Sequence, residues 1–136
     1  MSDPVSRVVH WSGGPWPRIP VRRYKDGGTG FRGVTRRLLV GEGDPGLAGE
    51  LRFFEIAPGG FSSLERHAHA HAVVVLTGRG HVRLGEELTP IAPFDLVYVA
   101  PHTPHRFLAD AGEPLAFLCL VDRERDRPEA LPEPGA

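Results

Sequence analysis

The chain has 136 residues, with 16 basic and 17 acidic residues and a formal net charge of −1. This length suits one domain with a single core, and the balanced charge excludes an electrostatic basis for binding nucleic acid or an anionic membrane. The single cysteine excludes an intrachain disulfide and fits a reducing compartment. No apolar run approaches the roughly 20 residues of a membrane helix, and the first residues lack the apolar part of a signal peptide. We therefore expect a soluble cytoplasmic protein.

Glycine (17 residues) and proline (14 residues) are distributed between short β-rich runs. This distribution is typical of an all-β sandwich or barrel. In chain order, we predict strands over residues 34–40, 51–57, 72–77, 81–84, 88–91, 94–99, 106–108 and 115–121. The second strand should end at Pro58-Gly59-Gly60, because proline and glycine interrupt strands. The apolar third strand should be buried on both faces, or nearly so.

The composition divides the chain into three segments. We expect residues 1–30 to form an N-terminal arm and a glycine-rich loop, residues 31–121 a barrel, and residues 122–136 a polar, proline-rich tail. Trp11 and Trp16 could anchor the arm on the barrel or on a second subunit, and a partly ordered arm is an equally good interpretation. The tail has too few apolar residues to bury much surface, which predicts a mobile tail or a strap.

Three of the seven histidines alternate with alanine between residues 64 and 72. Alternate side chains of a strand point to one face. An extended chain would therefore present four side chains together: Glu65, His67, His69 and His71. Imidazole and carboxylate groups are ligands of divalent transition metals, which predicts a metal site on one strand. Solvated or structural histidines are the alternative, but the apolar run that follows should be buried, and buried imidazoles need partners.

A second candidate segment ends in His105. Pro101 and Pro104 precede this histidine, and each proline fixes a backbone φ angle and stiffens the chain. Because the ligands of a metal site must be held by rigid elements, His105 is a candidate ligand from a distant segment. Tyr98 and His102 are weaker candidates for groups that face the same site.

Together these segments resemble the cupin family, over roughly residues 50–121. The resemblance implies an all-β, single-domain, jelly-roll β-barrel. The first cupin motif is Gly, five residues, His-x-His, three or four residues, Glu, six residues, Gly. The second is Gly, five residues, Pro-x-Gly, two residues, His, three residues, Asn. Of the second motif only His105 is retained, and its other positions hold Phe94, Ala100, His102 and Ala109.

Two registers of the first motif are open. Counting back from Gly78 places His71 at the glutamate position, His67 at the second histidine and Glu65 at the first histidine, so that one Glu and one His have exchanged places. We prefer this register, which implies four metal ligands: Glu65, His67, His71 and His105. His69 is then a neighbour of the site. In the competing register His67 and His69 form the His-x-His pair, and valines stand where an acidic ligand is expected.

The resemblance implies one divalent transition metal (Mn, Fe, Co, Ni, Cu or Zn), and we favour Mn or Fe. The leading hypothesis is a metalloenzyme that acts on a small oxygenated metabolite by Lewis-acid or O2 chemistry, and a phosphorylated sugar-like compound is one option for that metabolite. A non-catalytic small-molecule-binding or sensor barrel is the alternative. Family members exchange N-terminal arms, which implies a homodimer. The chain also resembles a bacterial cupin subfamily, one branch of which is a manganese-dependent, thiol-using methylsulfurylase of methylthioadenosine metabolism.

Cys119 is the candidate catalytic residue. It lies in phase with Phe117 and Val121 of the last predicted strand, so its thiol would face the cavity if that face lines the barrel. An inert buried cysteine is the interpretation that we prefer from sequence alone. We expect the strand-borne arginines to point outward, although an inward one could bind a phosphate or carboxylate: Arg36, Arg37, Arg52, Arg83 and Arg106.

Overall fold

In the computed structural model, residues 5–11, 16, 18–25 and 30–133 are described. Ten antiparallel strands form one curled sheet, and none of the described residues lies in a helix, so none belongs to a helix that could cross a membrane. The strands are β1 (Arg32–Val40), β2 (Gly49–Phe61), β3 (Glu65–Arg66), β4 (His71–Thr77), β5 (Gly80–Leu84), β6 (Glu87–Ile91), β7 (Leu96–Val99), β8 (His105–Ala109), β9 (Leu115–Asp122) and β10 (Glu129–Ala130). The predicted all-β barrel is confirmed.

The sheet has two halves that curl toward each other. In one half the strand order is β7-β4-β9-β2-β1, and in the other β10, β3, β8, β5 and β6 lie side by side. β2 joins the halves, because most of its length pairs with β9 while its last residue, Phe61, pairs with Leu108 of β8. Side chains from both halves meet in one apolar core, as in a jelly roll.

β2 continues through the segment that was predicted to end it. Gly59 has a φ of 74°, which glycine adopts without strain. A Cβ atom on Gly60 would lie 2.4 Å from the carbonyl oxygen of Arg32. The two glycines therefore let β2 bend past β1, and the expected strand end at this position is wrong.

Two further details of the predicted strands are wrong. β4 buries only one face: Val73 and Val75 lie in the core, whereas Ala72 is exposed. Its outer face is open because no second layer covers this half of the sheet in the described part of the chain. Phe94 is not in a strand; its φ is 70° and 77% of its surface is exposed. A turn occupies this position, since the Asp95 N–H donates to the Ala92 carbonyl oxygen.

The arm and the tail both contact the barrel where they are described. The Trp16 ring packs edge-on against Phe53 of β2, with ring centroids 5.0 Å apart, whereas Trp11 is exposed. After β9 the chain returns across the barrel, and β10 pairs with β3. The homodimer stays a prediction. Residues 1–4, most of the predicted glycine-rich loop (26–29) and residues 134–136 lie outside the described residues.

Candidate metal centre

The histidine stretch is not one strand, as the alternating pattern predicted. β3 ends at Arg66, the chain bends at Ala68 and His69, and β4 begins at His71. β3 pairs with β8 in one half of the sheet and β4 with β9 in the other. The stretch therefore turns the corner between the two halves, which a continuous strand could not do.

Asp126, in the segment that returns across the barrel, holds this corner. Its carboxylate accepts hydrogen bonds from the backbone N–H groups of Ala68 (2.8 Å) and His69 (3.1 Å). It also accepts one from the Nδ1–H of the His69 ring, at 2.8 Å. The Ala68 N–H and the His69 ring hold the pKa of Asp126 well below its usual range. This contact could not be predicted from the sequence, because the two segments are far apart in the chain.

The corner brings the predicted ligands together despite the bend. The rings of His67, His69, His71 and His105 are all buried. The ring centroids of His67 lie 4.7 Å from His71 and 4.8 Å from His105. Two overlapping groups have donor atoms within 4.8 Å of one another, and each could hold a metal ion: His67 with His69 and His71, and Glu65 with His67 and His105. We call these five residues the donor cluster.

Hydrogen bonds fix which ring nitrogen is left for a ligand. The Nδ1–H of His67 donates to the His69 carbonyl oxygen (2.6 Å), and that of His105 donates to the Thr103 carbonyl oxygen (2.8 Å). Since a carbonyl only accepts, each Nε2 atom carries a free lone pair. The Nε2 atoms of His67 and His71 are 3.0 Å apart. Two imidazole nitrogens on one ion are separated by about 3 Å when bonds of about 2.1 Å meet at a right angle.

Glu65 completes the donor cluster on the β3 side. Its Oε2 atom accepts hydrogen bonds from Lys25 Nζ (2.8 Å) and Ser63 Oγ (2.9 Å). Its Oε1 atom lies 4.0 Å from Nε2 of His67. The Tyr24 hydroxyl lies 2.9 Å from Ser63 Oγ. One carboxylate oxygen is thus held by the protein, and the other faces the imidazoles.

The histidines are held in the form that binds metals. Burial lowers the pKa of His67 to about 4 and the pKa of His71 to about 2. Burial also lowers the pKa of His105. The rings of His67, His71 and His105 are therefore neutral at physiological pH, and a metal ion would displace few protons from them. Three neutral imidazoles and a carboxylate fit a divalent transition metal.

His69 differs from the other histidines in its contacts. Its ring stacks on His67, with centroids 3.6 Å apart and planes within 1° of parallel. Its Nδ1–H is bonded to Asp126. The donor cluster therefore contains the histidines of both predicted registers of the first cupin motif. The weaker candidates do not contribute, because the side chains of Tyr98 and His102 are exposed.

Beside the donor cluster lies a cavity of about 210 Å³. Its wall includes His71, His105 and Cys119, whose side chain is buried. The Sγ atom of Cys119 lies 3.1 Å from Nδ1 of His71 and 3.5 Å from Nη2 of Arg52. Burial raises the pKa of the Cys119 thiol, and the Arg52 charge opposes this effect. The thiol therefore lies beside both a histidine of the donor cluster and a cation.

The expectation that the strand-borne arginines point outward is wrong for two of them, Arg36 and Arg52. Arg52 is buried on the inner face of β2 and lines the cavity. Arg106 points outward from β8, because its neighbours His105 and Phe107 line the cavity, but it is still buried. It donates to the Ser62 carbonyl oxygen and to Glu133 in the returning segment. The Arg106 charge has a carboxylate partner. The position of Arg52 follows from strand alternation, because it lies two residues before the inward Phe54.

Comparisons with known proteins agree with this architecture. The cupin domain family model matches residues 52–121, just over half of the chain. The chain is a cupin. A relative from Rhodospirillum rubrum, named 1-methylthio-D-xylulose 5-phosphate methylsulfurylase, is 49% identical over 115 residues, which is 84% of this cupin and 72% of that protein.

Two solved cupin structures are similar to this one. A cupin-2 domain protein from Rhodospirillum rubrum has a TM-score of 0.81 at 44% identity, over 97% of this chain and 84% of that chain. A cupin 2 conserved barrel protein from Rhodopseudomonas palustris has a TM-score of 0.78 at 45% identity, over 85% of this chain and 79% of that chain. The resemblance that the motifs predicted is confirmed for family and fold.

Sequence reasoning missed several residues that shape the site. Lys25 and Asp126 come from segments before and after the barrel, and nothing in their local sequence marks them. Ser63 could have been found, since it lies two residues before Glu65 and shares its face if the chain is extended. Arg52 was considered but was assigned to the wrong face.

Proposed function

We propose that this cupin is a metal-dependent enzyme that removes the methylthio group from a phosphorylated methylthio ketose. Its relative from Rhodospirillum rubrum, which is 49% identical over 115 residues, is named for such a substrate. The observation that carries the proposal is the position of Cys119, the chain's one cysteine. Its sulfur lies on the cavity wall, 3.1 Å from a histidine of the donor cluster.

The donor cluster supports a metal-dependent reaction. We propose that four of its members hold the ion: Glu65, His67, His71 and His105. A bound divalent metal would supply Lewis-acid polarisation of a ketone oxygen. In this arrangement Nε2 of His71 faces the ion, so its Nδ1 carries the proton and donates it in a hydrogen bond to the Cys119 sulfur.

Cys119 is positioned to act as the nucleophile. Its thiolate sulfur attacks the sulfur of the substrate's methylthio group, so that an S–S bond forms while the C–S bond breaks. The electron pair of the broken bond moves to the carbon beside the ketone. That carbon takes up a proton and becomes a methyl group, while Cys119 is left as a methyl disulfide.

A thiol co-substrate restores the enzyme. Its thiolate attacks the Cys119 sulfur–methylthio bond, releases Cys119 as a thiolate and leaves with the methylthio group as a mixed disulfide. Overall, the substrate carbon gains two electrons. The co-substrate sulfur and the methylthio sulfur lose two on forming their disulfide, so the reaction balances without another oxidant or reductant.

The two groups beside Cys119 favour the reactive thiolate. The Arg52 guanidinium supplies a positive charge at 3.5 Å, and the His71 Nδ1–H supplies a hydrogen bond at 3.1 Å. Burial raises the pKa of the Cys119 thiol, and Arg52 opposes this effect. A hydrogen bond donated by His71 would favour the thiolate as well. The thiol therefore lies in the cavity wall, where it can reach a bound substrate, and it is buried away from solvent.

Turnover by the full chain tests the proposal. The protein is reconstituted with Mn, Fe, Ni or Zn and is assayed with 1-methylthio-D-xylulose 5-phosphate and a small thiol. We expect release of the methylthio group as a mixed disulfide. The variant Cys119→Ser should lose about a thousandfold or more in rate while it retains its metal. Unchanged turnover in this variant, or no turnover by any reconstituted form of the wild type, would contradict the proposal.

A further inference from the structure

Two arginines lie side by side on the inner face of the barrel wall. Arg36 of β1 is paired with Phe54 of β2, and Arg52 of β2 is paired with Leu38 of β1 and with Cys119 of β9. Directly paired residues point to the same face of a sheet. Arg36 and Arg52 are therefore diagonal neighbours on the face that carries the thiol. Both line the 210 Å³ cavity.

Arg52 is a buried cation without a carboxylate partner in the described part of the chain. It is 9% exposed, and its Nε atom has no hydrogen-bond partner among the described residues. Its Nη2 atom lies 3.5 Å from the Cys119 sulfur. No carboxylate among the described residues forms an ion pair with it. Burying an unpaired charge is costly, so an anion from outside the chain is the expected partner.

The surroundings of this arginine pair add positive charge rather than remove it. Burial, and then the charges of Arg52, Arg125 and Arg22, lower the pKa of Arg36. The carboxylate of Glu50 forms an ion pair with Arg125. Lys25, another cation of the cavity wall, forms an ion pair with Glu65. The positive charge of Arg36 and Arg52 is therefore not balanced by these neighbours.

There is also space for an anion beside the pair. A second cavity of about 70 Å³ is lined by Arg36, Arg52 and Arg125, which also line the larger cavity. Its wall also includes Glu50, whose carboxylate is paired with Arg125. Since one water molecule occupies roughly 30 Å³ of liquid, this volume suits a small oxyanion. The Cys119 sulfur lies between Arg52 and His71. A ligand whose anionic end is at the arginines can therefore present its other end to the thiol and the donor cluster.

We propose that Arg36 and Arg52 form a phosphate-binding subsite that selects phosphomonoester substrates. A guanidinium offers a planar pair of N–H donors that matches two phosphate oxygens, and a phosphomonoester supplies the negative charge that this wall lacks. The inference rests on the proposed function for the identity of the rest of the substrate. The new element is that Arg36 and Arg52 bind the phosphate and thereby select phosphorylated substrates.

Kinetics with a matched pair of substrates tests the subsite. The substrates are 1-methylthio-D-xylulose 5-phosphate and 1-methylthio-D-xylulose, which differ only in the phosphate. Arg36→Gln should raise KM for the phosphorylated ketose about tenfold or more and leave kinetics with the other ketose unchanged. Arg36→Lys should recover part of the loss. The control is Arg79→Gln, which removes an equal charge at an exposed turn and should change neither substrate's kinetics.

Direct binding of inorganic phosphate to the metal-loaded full chain gives a second measurement. By calorimetry, Arg36→Gln and Arg52→Lys should each weaken phosphate binding about tenfold. The Arg52 variant keeps the charge but loses the Nε donor and the planar fork. Equal phosphate affinity in wild type and both variants would overturn the subsite, as would an equal loss of turnover with both ketoses in Arg36→Gln.

The two proposals fail in different ways. Arginine-dependent phosphate binding without turnover of either methylthio ketose would support the subsite and contradict the proposed reaction. Turnover of both ketoses with the same KM would support the reaction and contradict the subsite.

Discussion

The two ends of the barrel interior are built from the same strands and have opposite chemistry. On β4, His71 belongs to the donor cluster, and Val75, four residues along the same face, is completely buried in the core. On β9 the corresponding pair is Cys119 and Leu115. β4 pairs with β9 in regular register from Ala72 to Val75, and the register shifts before Thr77. The inward side chains differ between the two ends, so the apolar end can stabilise a barrel whose other end carries buried polar groups.

This division predicts that stability and metal binding are separable. The closed end should set the free energy of unfolding, because it contains the buried apolar surface. The open end should set metal affinity and contribute little to stability in the absence of metal, because buried neutral imidazoles are polar groups with few apolar contacts. Four sets of variants test the separation.

Gly78, at the turn between β4 and β5, should be the most sensitive position. Its φ is 83°, and a Cβ atom there would lie 1.9 Å from the Pro114 carbonyl oxygen. We expect Gly78→Ala to abolish folding or to cost more than about 4 kcal/mol. Gly85→Ala is the control, since Gly85 also has a positive φ but no atom within 4 Å of the added Cβ. It should cost about 1–2 kcal/mol in urea unfolding. Equal losses would show that backbone strain, and not the close contact, limits both sites.

Ile56 tests the closed end by loss of packing. Its side chain is completely buried in the core. Ile56→Ala should lower the free energy of unfolding by about 2–5 kcal/mol, while the folded protein keeps its metal stoichiometry. The comparison is Leu88→Ala at an exposed position, which should change stability by about 0.5 kcal/mol or less. Metal loss from folded Ile56→Ala would contradict the prediction that stability and metal binding are separable.

His105 tests the open end. His105→Ala removes one proposed ligand, and we expect the metal dissociation constant to rise about a hundredfold or more. The unfolding free energy of the metal-free protein should change by less than about 1 kcal/mol. The exposed His102 lies three residues away with a φ of 64°. His102→Asn, which tolerates this φ, should leave metal affinity unchanged, and an equal effect of the two variants would argue against a site at His105.

His69 should give the smallest effect and decides between the two registers. If Glu65, His67, His71 and His105 are the ligands, His69→Ala should weaken metal binding less than about tenfold, because it removes only a stacking and positioning group. His67→Ala, at a residue common to both registers, should remove the metal. Competitive chelation measures both affinities, and equal losses would favour the register in which His67 and His69 form the ligand pair.

The fold was predictable because its signals are local. Turns at glycine and proline, and the apolar runs of β4 and β9 between them, locate the strands to within a few residues. The errors in the predicted strands occur where contacts with a distant segment determine strand length or burial. Pro58-Gly59-Gly60 bends β2 without ending it because β1 and β8 continue the pairing. Ala72 is exposed because the outer face of β4 is left open.

The candidate site was predictable in its members but not in its construction. Residue type and spacing pointed to His67, His71 and His105, yet the proposed single strand is a corner between two halves of the sheet. The contact of Asp126 with His69 depends on how two distant segments pack, and no pattern within either segment encodes it. The orientation of Arg52 follows from strand alternation, but only once Phe54 is known to face inward.

The most direct test of the account is the metal content of the protein purified without a histidine tag. A crystal of this protein, measured across metal absorption edges, gives both the identity of the ion and its position. We predict one divalent ion per chain, with its anomalous peak surrounded by Glu65, His67, His71 and His105. Protein that stays substoichiometric in metal after incubation with Mn, Fe, Ni and Zn, and shows no anomalous peak at these side chains, would contradict the account.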